Sequence, residues 1–137
     1  MKAKSLKEIL VPISPGELLD KITILRIKAA RMSDPMKVAN VKHELALLEK
    51  TWRDSGAAAV DLGSEEANLT RVNEALWVIE DDIRDEEHAQ RFGQRFIELA
   101  RAVYVTNDER AAIKKRINVA LGSTIVEEKS YKPYKAG

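Results

Sequence analysis

The chain has no cysteine among its 137 residues. This absence excludes disulfide bonds, zinc sites built on thiolates, cysteine nucleophiles and thiol redox chemistry. No apolar run reaches the roughly 18 residues that a membrane-spanning helix needs, and the amino-terminal apolar run is too short for a signal peptide. We therefore expect one cytoplasmic domain over residues 1–137, with an extended carboxyl-terminal tail and no membrane span.

Common phosphate-binding and nucleophile motifs are absent as well. The sequence contains neither G-x-x-x-x-G-K-[ST] nor G-x-G-x-x-G, and it has no nucleophile elbow of the form G-x-S-x-G. Nucleotide binding through a P-loop or a Rossmann turn is therefore excluded.

Strong helical periodicity is what the sequence does contain. With six glycines and four prolines, the composition is typical of a helical globular protein. Apolar residues recur at alternating spacings of four and three over residues 15–32, which predicts a helix. Further apolar residues outside this stripe predict that the helix is covered on two sides. Ser14 as N-cap, Pro15 in the first turn and Glu17 as the closing residue of a capping box mark its start. A second stripe over residues 35–54 predicts an antiparallel helical hairpin.

Two more helices follow in the second half of the chain. Residues 64–88 form the third, with Ser64 as its cap, and a fourth helical region covers residues 89–121. The tail begins at about residue 123, and its first residues are expected to pair as a short strand with residues 8–13. The predicted fold class is all-α, with four main helices in a bundle.

The third predicted helix combines an apolar stripe with the densest group of carboxylates in the chain. Residues 61–98 carry 11 acidic and 4 basic side chains, and most of the acids lie near the end of this helix. Its apolar face predicts a core position, and its acidic side chains lie opposite that face or beside it. Two interpretations follow, a solvated acidic surface or a set of ligands for a metal or a basic partner.

A magnesium site is the more specific of these interpretations. Carboxylates from two neighbouring helices hold Mg²⁺ in helical nucleotide pyrophosphohydrolases. Gly16-Glu17-Leu18 resembles the G-E-L element of the all-α pyrophosphatases of the MazG-like group, although Ser14 and Pro15 stand where that group has acidic residues. The resemblance implies Mg²⁺-dependent hydrolysis of a nucleotide or sugar nucleotide. The carboxylates available from the first and third helices are Glu17 and Asp20, together with Glu80 and Glu87 or with Asp82 and Asp85.

Two other charged patterns have structural explanations. Asp85 and His88 have the spacing of a carboxylate and an imidazole on one helical face, but helical di-iron sites need that pair twice. A basic set in the fourth helix and the tail would suit nucleic acid, yet pairing with the acidic third helix explains it as well. We therefore expect a surface histidine and no nucleic-acid partner. The basic set comprises Arg110, Lys114, Lys115, Arg116 and residues 129–135.

Three segments of the chain resemble a bacterial family of short helical proteins known only as a domain of unknown function. The first is VPIS followed by GELLDKITIL, over residues 11–25; the second is NEALWVIEDDIR, over residues 73–84. The third begins with FIELAR at Phe96 and runs to Lys114. The similarity extends over nearly the whole chain. It implies a self-contained bacterial protein, associated in some members with cell-surface polysaccharide genes, and it implies no catalytic residues.

Trp77 and Val78 project away from the apolar stripe of the third helix. Large apolar side chains on the back of a packed helix indicate a second packing surface, against another helix or a partner subunit. The leading functional hypothesis is therefore a small interaction or adaptor protein that forms a homo-oligomer through this surface and needs no cofactor, with its protein partner unidentified. The alternative is the Mg²⁺-dependent phosphohydrolase.

Overall fold

The computed structural model describes residues 6–135 and is built from α-helices. They are α1 (Pro15–Arg31), α2 (Pro35–Asp54), α3 (Glu65–His88) and α4 (Gln94–Ala120), with a single 3-10 turn at Ala57–Ala59. No strand occurs within residues 6–135, so the all-α prediction is confirmed. None of the described helices is long and apolar enough to cross a membrane.

The predicted starts of the first three helices are confirmed, but only the first two have the predicted side-chain caps. Ser14 Oγ accepts a hydrogen bond from the Glu17 amide at 3.3 Å, and Asp34 Oδ1 caps α2 by accepting from the Met36 amide at 3.0 Å. These acceptors satisfy amides that have no partner inside the helix. Ser64 is the N-cap residue of α3 as predicted, but it has ψ of 4° and its side chain makes no capping hydrogen bond.

The fourth helix begins five residues later than predicted. Its first residue is Gln94 rather than Ala89, because the intervening residues turn the chain back toward α3. Gln90 adopts a left-handed conformation with φ of 56°, which an α-helix cannot accommodate. From Gln94 the helix continues through Asn107 without a break, as the apolar periodicity predicts.

Helix α1 lies at the centre of the bundle and contacts the other three helices. Its side chains are buried on more than one face, as its broad apolar pattern predicts. The main cluster joins α1 to α3 and α4, and each fully buried Leu or Ile in it contributes about 1.5–3 kcal/mol. Helix α2 packs on α1 with a half-buried stripe and has no fully buried residue. The cluster consists of Leu19, Leu69, Val72, Leu76, Ile113 and Ile117.

The two extended chain ends do not pair with each other in the described structure. Residues 8–13 and 123–127 have no strand assignment, so the expected two-stranded pairing is wrong. Ion pairs of the tail explain this result, because Glu127 contacts Lys114 at 2.9 Å and Lys129 contacts Asp108 at 3.2 Å. These contacts hold the tail against α4. The predicted domain also includes residues 1–5 and 136–137, which lie outside the described residues.

Candidate functional site

A buried lysine lies where α1, α4 and the tail meet. Lys114 is 7% exposed, and its ammonium group forms a hydrogen bond with the Glu17 carboxylate. Lys114 Nζ also lies 3.8 Å from Asp20 Oδ2 and 2.9 Å from Glu127 Oε2. Three carboxylates therefore surround one ammonium group, and charge pairing of this kind makes a buried cation tolerable.

The pKa shifts of Glu17 and Lys114 follow from this arrangement. Burial raises the pKa of Glu17, but the hydrogen bond and charge of Lys114, with a contribution from Lys21, outweigh it, so the pKa lies below its ordinary 4.5. Burial lowers the pKa of Lys114, yet its bonds to Glu17 and Glu127 outweigh burial and raise it above 10.5. Both groups are therefore charged at neutral pH.

Asn73 connects this ion pair to α3. Its Nδ2 donates to Asp20 Oδ1 and to Thr23 Oγ1, both at 2.9 Å. Thr23 in turn donates its hydroxyl hydrogen to the Asp20 carbonyl at 2.8 Å. Because an ionised carboxylate only accepts hydrogen bonds, the amide nitrogen of Asn73 must face Asp20. Its Oδ1 is therefore directed away from this network, and it is buried without a hydrogen-bond partner among the described residues.

A close approach of α1 to α4 brings these groups together. The Gly16 amide donates to Asn118 Oδ1 at 2.7 Å, and a Cβ at Gly16 would lie 2.5 Å from the Lys114 carbonyl oxygen. Only glycine fits this contact without a shift of one helix. The approach places Glu17 and Asp20 within reach of Lys114. We call Glu17, Asp20, Thr23, Asn73 and Lys114 the polar seam.

A groove of about 460 Å³ opens beside the polar seam and is lined by α1, α3 and α4. We call it the Trp77 groove. One part of its wall is apolar, and the rest carries amides and charged groups. Arg110 is half-buried and forms no ion pair or hydrogen bond with the residues that the structure describes, whereas Arg84 pairs with Glu80 at 3.5 Å. The lining residues are Ile24, Ile27, Asn73, Leu76, Trp77, Glu80, Asp81, Arg84, Asn107 and Arg110.

A second space, of about 960 Å³, lies between α4 and the carboxyl-terminal tail. We call it the tail cavity. Asn107 and Arg110 line both this cavity and the Trp77 groove. The two spaces therefore meet at this part of α4.

The four carboxylates considered for magnesium do not come together. Glu17 and Asp20 share Lys114, Glu80 lies in the Trp77 groove, and Glu87 is exposed in the last turn of α3. Within residues 6–135 no three His, Asp or Glu side chains are grouped so that they could hold a metal ion. The alternative pair from α3 is also separated, since Asp82 contacts Arg95 at 3.4 Å and Asp85 is exposed. The metal hypothesis stays a prediction.

The structure separates the two residues of the predicted interaction surface. Trp77 is half-buried and lines the groove beside Ile24 and Ile27 of α1, whereas Val78 is 43% exposed. Trp77 was expected to pack against another helix or a partner subunit, and in this structure it lies beside α1 of the same chain. His88 is exposed at the end of α3, where a surface histidine was expected.

The predicted pairing of α4 with α3 exists, but it bypasses most of the acidic cluster. Arg116 contacts Glu65 in the first turn of α3 at 2.7 Å, while Lys114 pairs with α1 and the tail instead. Sequence reasoning did not identify Asn73 as a site residue, and it considered Arg110 and Lys114 only as members of a basic set for nucleic acid or for pairing with α3. A signal existed for two of them, because Asn73 lies four residues after Leu69 and Lys114 lies three before Ile117. Polar residues at these spacings belong to the buried helical face.

Comparison with known proteins identifies the family of the chain. A model of a family of unknown function, DUF6165, matches residues 9–136. No curated protein and no solved structure matches the chain. The matched range contains the polar seam, the Trp77 groove and the tail cavity. Since the match extends over nearly all of the sequence, the chain belongs to the DUF6165 family.

Proposed function

We propose that this protein binds a small anionic molecule in the Trp77 groove, with Arg110 holding its negatively charged group. The observation that carries the proposal is Arg110, a half-buried residue that lines the groove and has no carboxylate partner among residues 6–135. Guanidinium groups bind phosphate and carboxylate oxygens through two parallel hydrogen bonds.

The remaining wall of the groove indicates what else the ligand contains. Trp77 and its neighbours Ile24 and Ile27 supply apolar surface for one face of a ring. The side chains of Asp81 and Asn107 in the groove wall carry oxygen atoms that can accept hydrogen bonds from hydroxyl groups. A ring with hydroxyl groups and a phosphate or carboxylate fits these features. The groove volume also falls in the range of about 300–1,000 Å³ that small-molecule sites occupy.

Titration calorimetry with pyrophosphate and with a sugar phosphate tests this proposal. Arg110→Gln keeps a polar side chain but removes the charge, so we expect binding about 10-fold weaker or worse. The matched control is Arg101→Gln, because Arg101 is exposed on the same helix and lines neither space. Circular dichroism melting verifies that both variants fold. Absence of binding by both probes, or equal binding by Arg110→Gln and wild type, would refute the proposal.

A second candidate function is self-association or partner binding by an interaction module. It is supported by the extended amino-terminal arm, where Ile9, Leu10 and Val11 are 74%, 86% and 69% exposed. Contiguous exposed apolar surface commonly marks a protein-protein interaction site. Val78 on α3 adds exposed apolar surface elsewhere. The cytoplasmic location and the link to cell-surface polysaccharide genes belong to this proposal as predictions.

Size exclusion with light scattering tests the second candidate. A homo-oligomer that Leu10→Ser or Val78→Ser dissociates would support it, since a polar group at an apolar interface removes part of its driving force. Lys37→Ser, at an exposed position of α2, is the control. A wild-type protein that remains strictly monomeric at high concentration would exclude the self-association hypothesis. Binding to a different protein would then be the remaining form of this second candidate.

A further inference from the structure

The carboxyl-terminal tail runs antiparallel along α4 and contacts it at three points. Glu127 contacts Lys114 at 2.9 Å, and Lys129 contacts Asp108 at 3.2 Å. The third point is aromatic, where the rings of Tyr134 and Tyr104 have centroids 5.3 Å apart. Between these attachments the tail and α4 enclose the tail cavity of about 960 Å³. The tail therefore acts as one wall of a space rather than as a segment packed flat on the helix.

The chemistry of the tail cavity differs from that of the Trp77 groove. Three tyrosines line it, together with cations that include Arg110 and Lys132. Neither of these two cations forms an ion pair within the described range. Aromatic faces stack on planar bases, at about 1–3 kcal/mol for each base, and cations bind phosphate oxygens. Tyr131 is 83% exposed, so a face of its ring is accessible.

The two spaces share the same cation. Arg110 and Asn107 line both of them, so two independent ligands would compete for one guanidinium. A single ligand that passes over Arg110 avoids this conflict. Neighbouring side chains on a helix face are about 5–6 Å apart, and a diphosphate group is long enough to span that distance. Such a ligand has one ring on each side of its phosphates.

We propose that the tail cavity is the second half of the site in the Trp77 groove, and that the ligand is a nucleoside diphosphate whose terminal phosphate carries a further ring. The base lies among the tyrosines of the cavity, the diphosphate contacts Arg110 and Lys132, and the outer ring lies against Trp77. This assignment rests on the proposed function of the groove. Binding of this ligand also restricts the motion of the tail between its contacts at Lys129 and Tyr134.

Calorimetry with pyrophosphate, UDP and three nucleotide sugars, UDP-glucose, GDP-mannose and ADP-glucose, tests the assignment on the full-length chain. We expect at least one nucleotide sugar to bind about 10-fold tighter than pyrophosphate, because base stacking adds to the phosphate contacts. Tyr131→Ala should lose that gain and still bind pyrophosphate within about 3-fold of wild type, because Arg110 and Lys132 remain in place. Val126→Ala is the matched control, because it truncates an exposed side chain of the tail at a position that does not line the cavity.

Trypsin digestion supplies a second measurement, the rate at which the tail is cleaved with and without ligand. The best-binding nucleotide sugar should slow cleavage after Lys129, which precedes a serine, whereas pyrophosphate should not. Binding of pyrophosphate at Arg110 without any gain from the nucleotide sugars overturns this assignment and leaves the groove proposal standing. A Tyr131→Ala variant that binds nucleotide sugars like wild type does the same. If neither pyrophosphate nor any nucleotide binds, the groove proposal fails and this assignment fails with it.

Discussion

Lys114 and Asp20 form an ion pair from which the fold excludes most water. Their Nζ and Oδ2 atoms are 3.8 Å apart, and the side chains retain 9% and 6% exposure. Asp20 is held on its other side by Asn73 of α3 at 2.9 Å. The pair therefore links three helices, and each partner compensates the burial cost of the other.

Removal of the lysine charge should destabilise the protein strongly. In Lys114→Met, the carboxylates of Glu17 and Asp20 lose the cation between them, and breaking a buried pair in this way costs about 3–5 kcal/mol. Urea denaturation followed by circular dichroism at neutral pH measures this loss. The neighbouring Lys115 is exposed, so Lys115→Met should stay within about 0.5 kcal/mol of wild type. Equal unfolding free energies for the two variants would contradict the proposed role of the ion pair.

Stability should depend on pH through Glu17 and Lys114. Because the pKa of Glu17 is lowered on folding, its contribution is complete above pH 4.5 and is lost as the pH falls through the folded-state value. The pKa of Lys114 is raised, so its contribution is complete below pH 10.5 and is lost as the pH rises through the folded-state value.

A variant isolates the acidic part of this dependence. Glu17→Gln should lose less stability than wild type on going from about pH 5 to about pH 3, since it has no carboxylate to protonate there. Glu74→Gln, at an exposed position of α3, should keep the wild-type slope. Urea titrations at a series of pH values give both slopes. The same acid slope for Glu17→Gln and wild type would rule out this origin.

The contact of Gly16 with α4 predicts a steric effect. The Cβ of Gly16→Ala would lie 2.5 Å from the Lys114 carbonyl oxygen, which requires a shift of α1 relative to α4. We expect a loss of about 1–3 kcal/mol, as for other overpacked sites. Gly93→Ala introduces the same methyl group where no atom lies within 4 Å and should cost less, at most about 1 kcal/mol, from the preference of this N-cap position for glycine over alanine. Similar melting temperatures for the two variants would show that the helices adjust freely.

The magnesium hypothesis has a direct test. Lys114 already compensates the charges of Glu17 and Asp20, so we expect calorimetric titration with Mg²⁺ or Mn²⁺ to give no saturable heat in the absence of nucleotide. Saturable binding that Glu17→Gln abolishes would contradict this expectation and would support the phosphohydrolase alternative. Glu74→Gln again serves as the control.

Local sequence signals predicted most of the helical structure because they act through neighbours along the chain. Ser14 and Asp34 accept hydrogen bonds from amides two or three residues away, and apolar spacings of three and four need only the geometry of one helix. Predictions that depended on a turn were weaker. The start of α4 was misplaced because Gln90 adopts φ of 56°. Glutamine seldom adopts this left-handed conformation, so its presence in the sequence did not predict a turn there.

The sequence by itself therefore determined the all-α class, the first two helices with their caps, and the burial of α1 on more than one side. Tertiary structure alone decided the site. Lys114 meets Glu17 from 97 residues away, and Trp77 lines a groove because α1 and α4 pack beside it. A helical pattern shows which side of a helix a residue occupies, but the approach and register of separate helices decide which charges become neighbours.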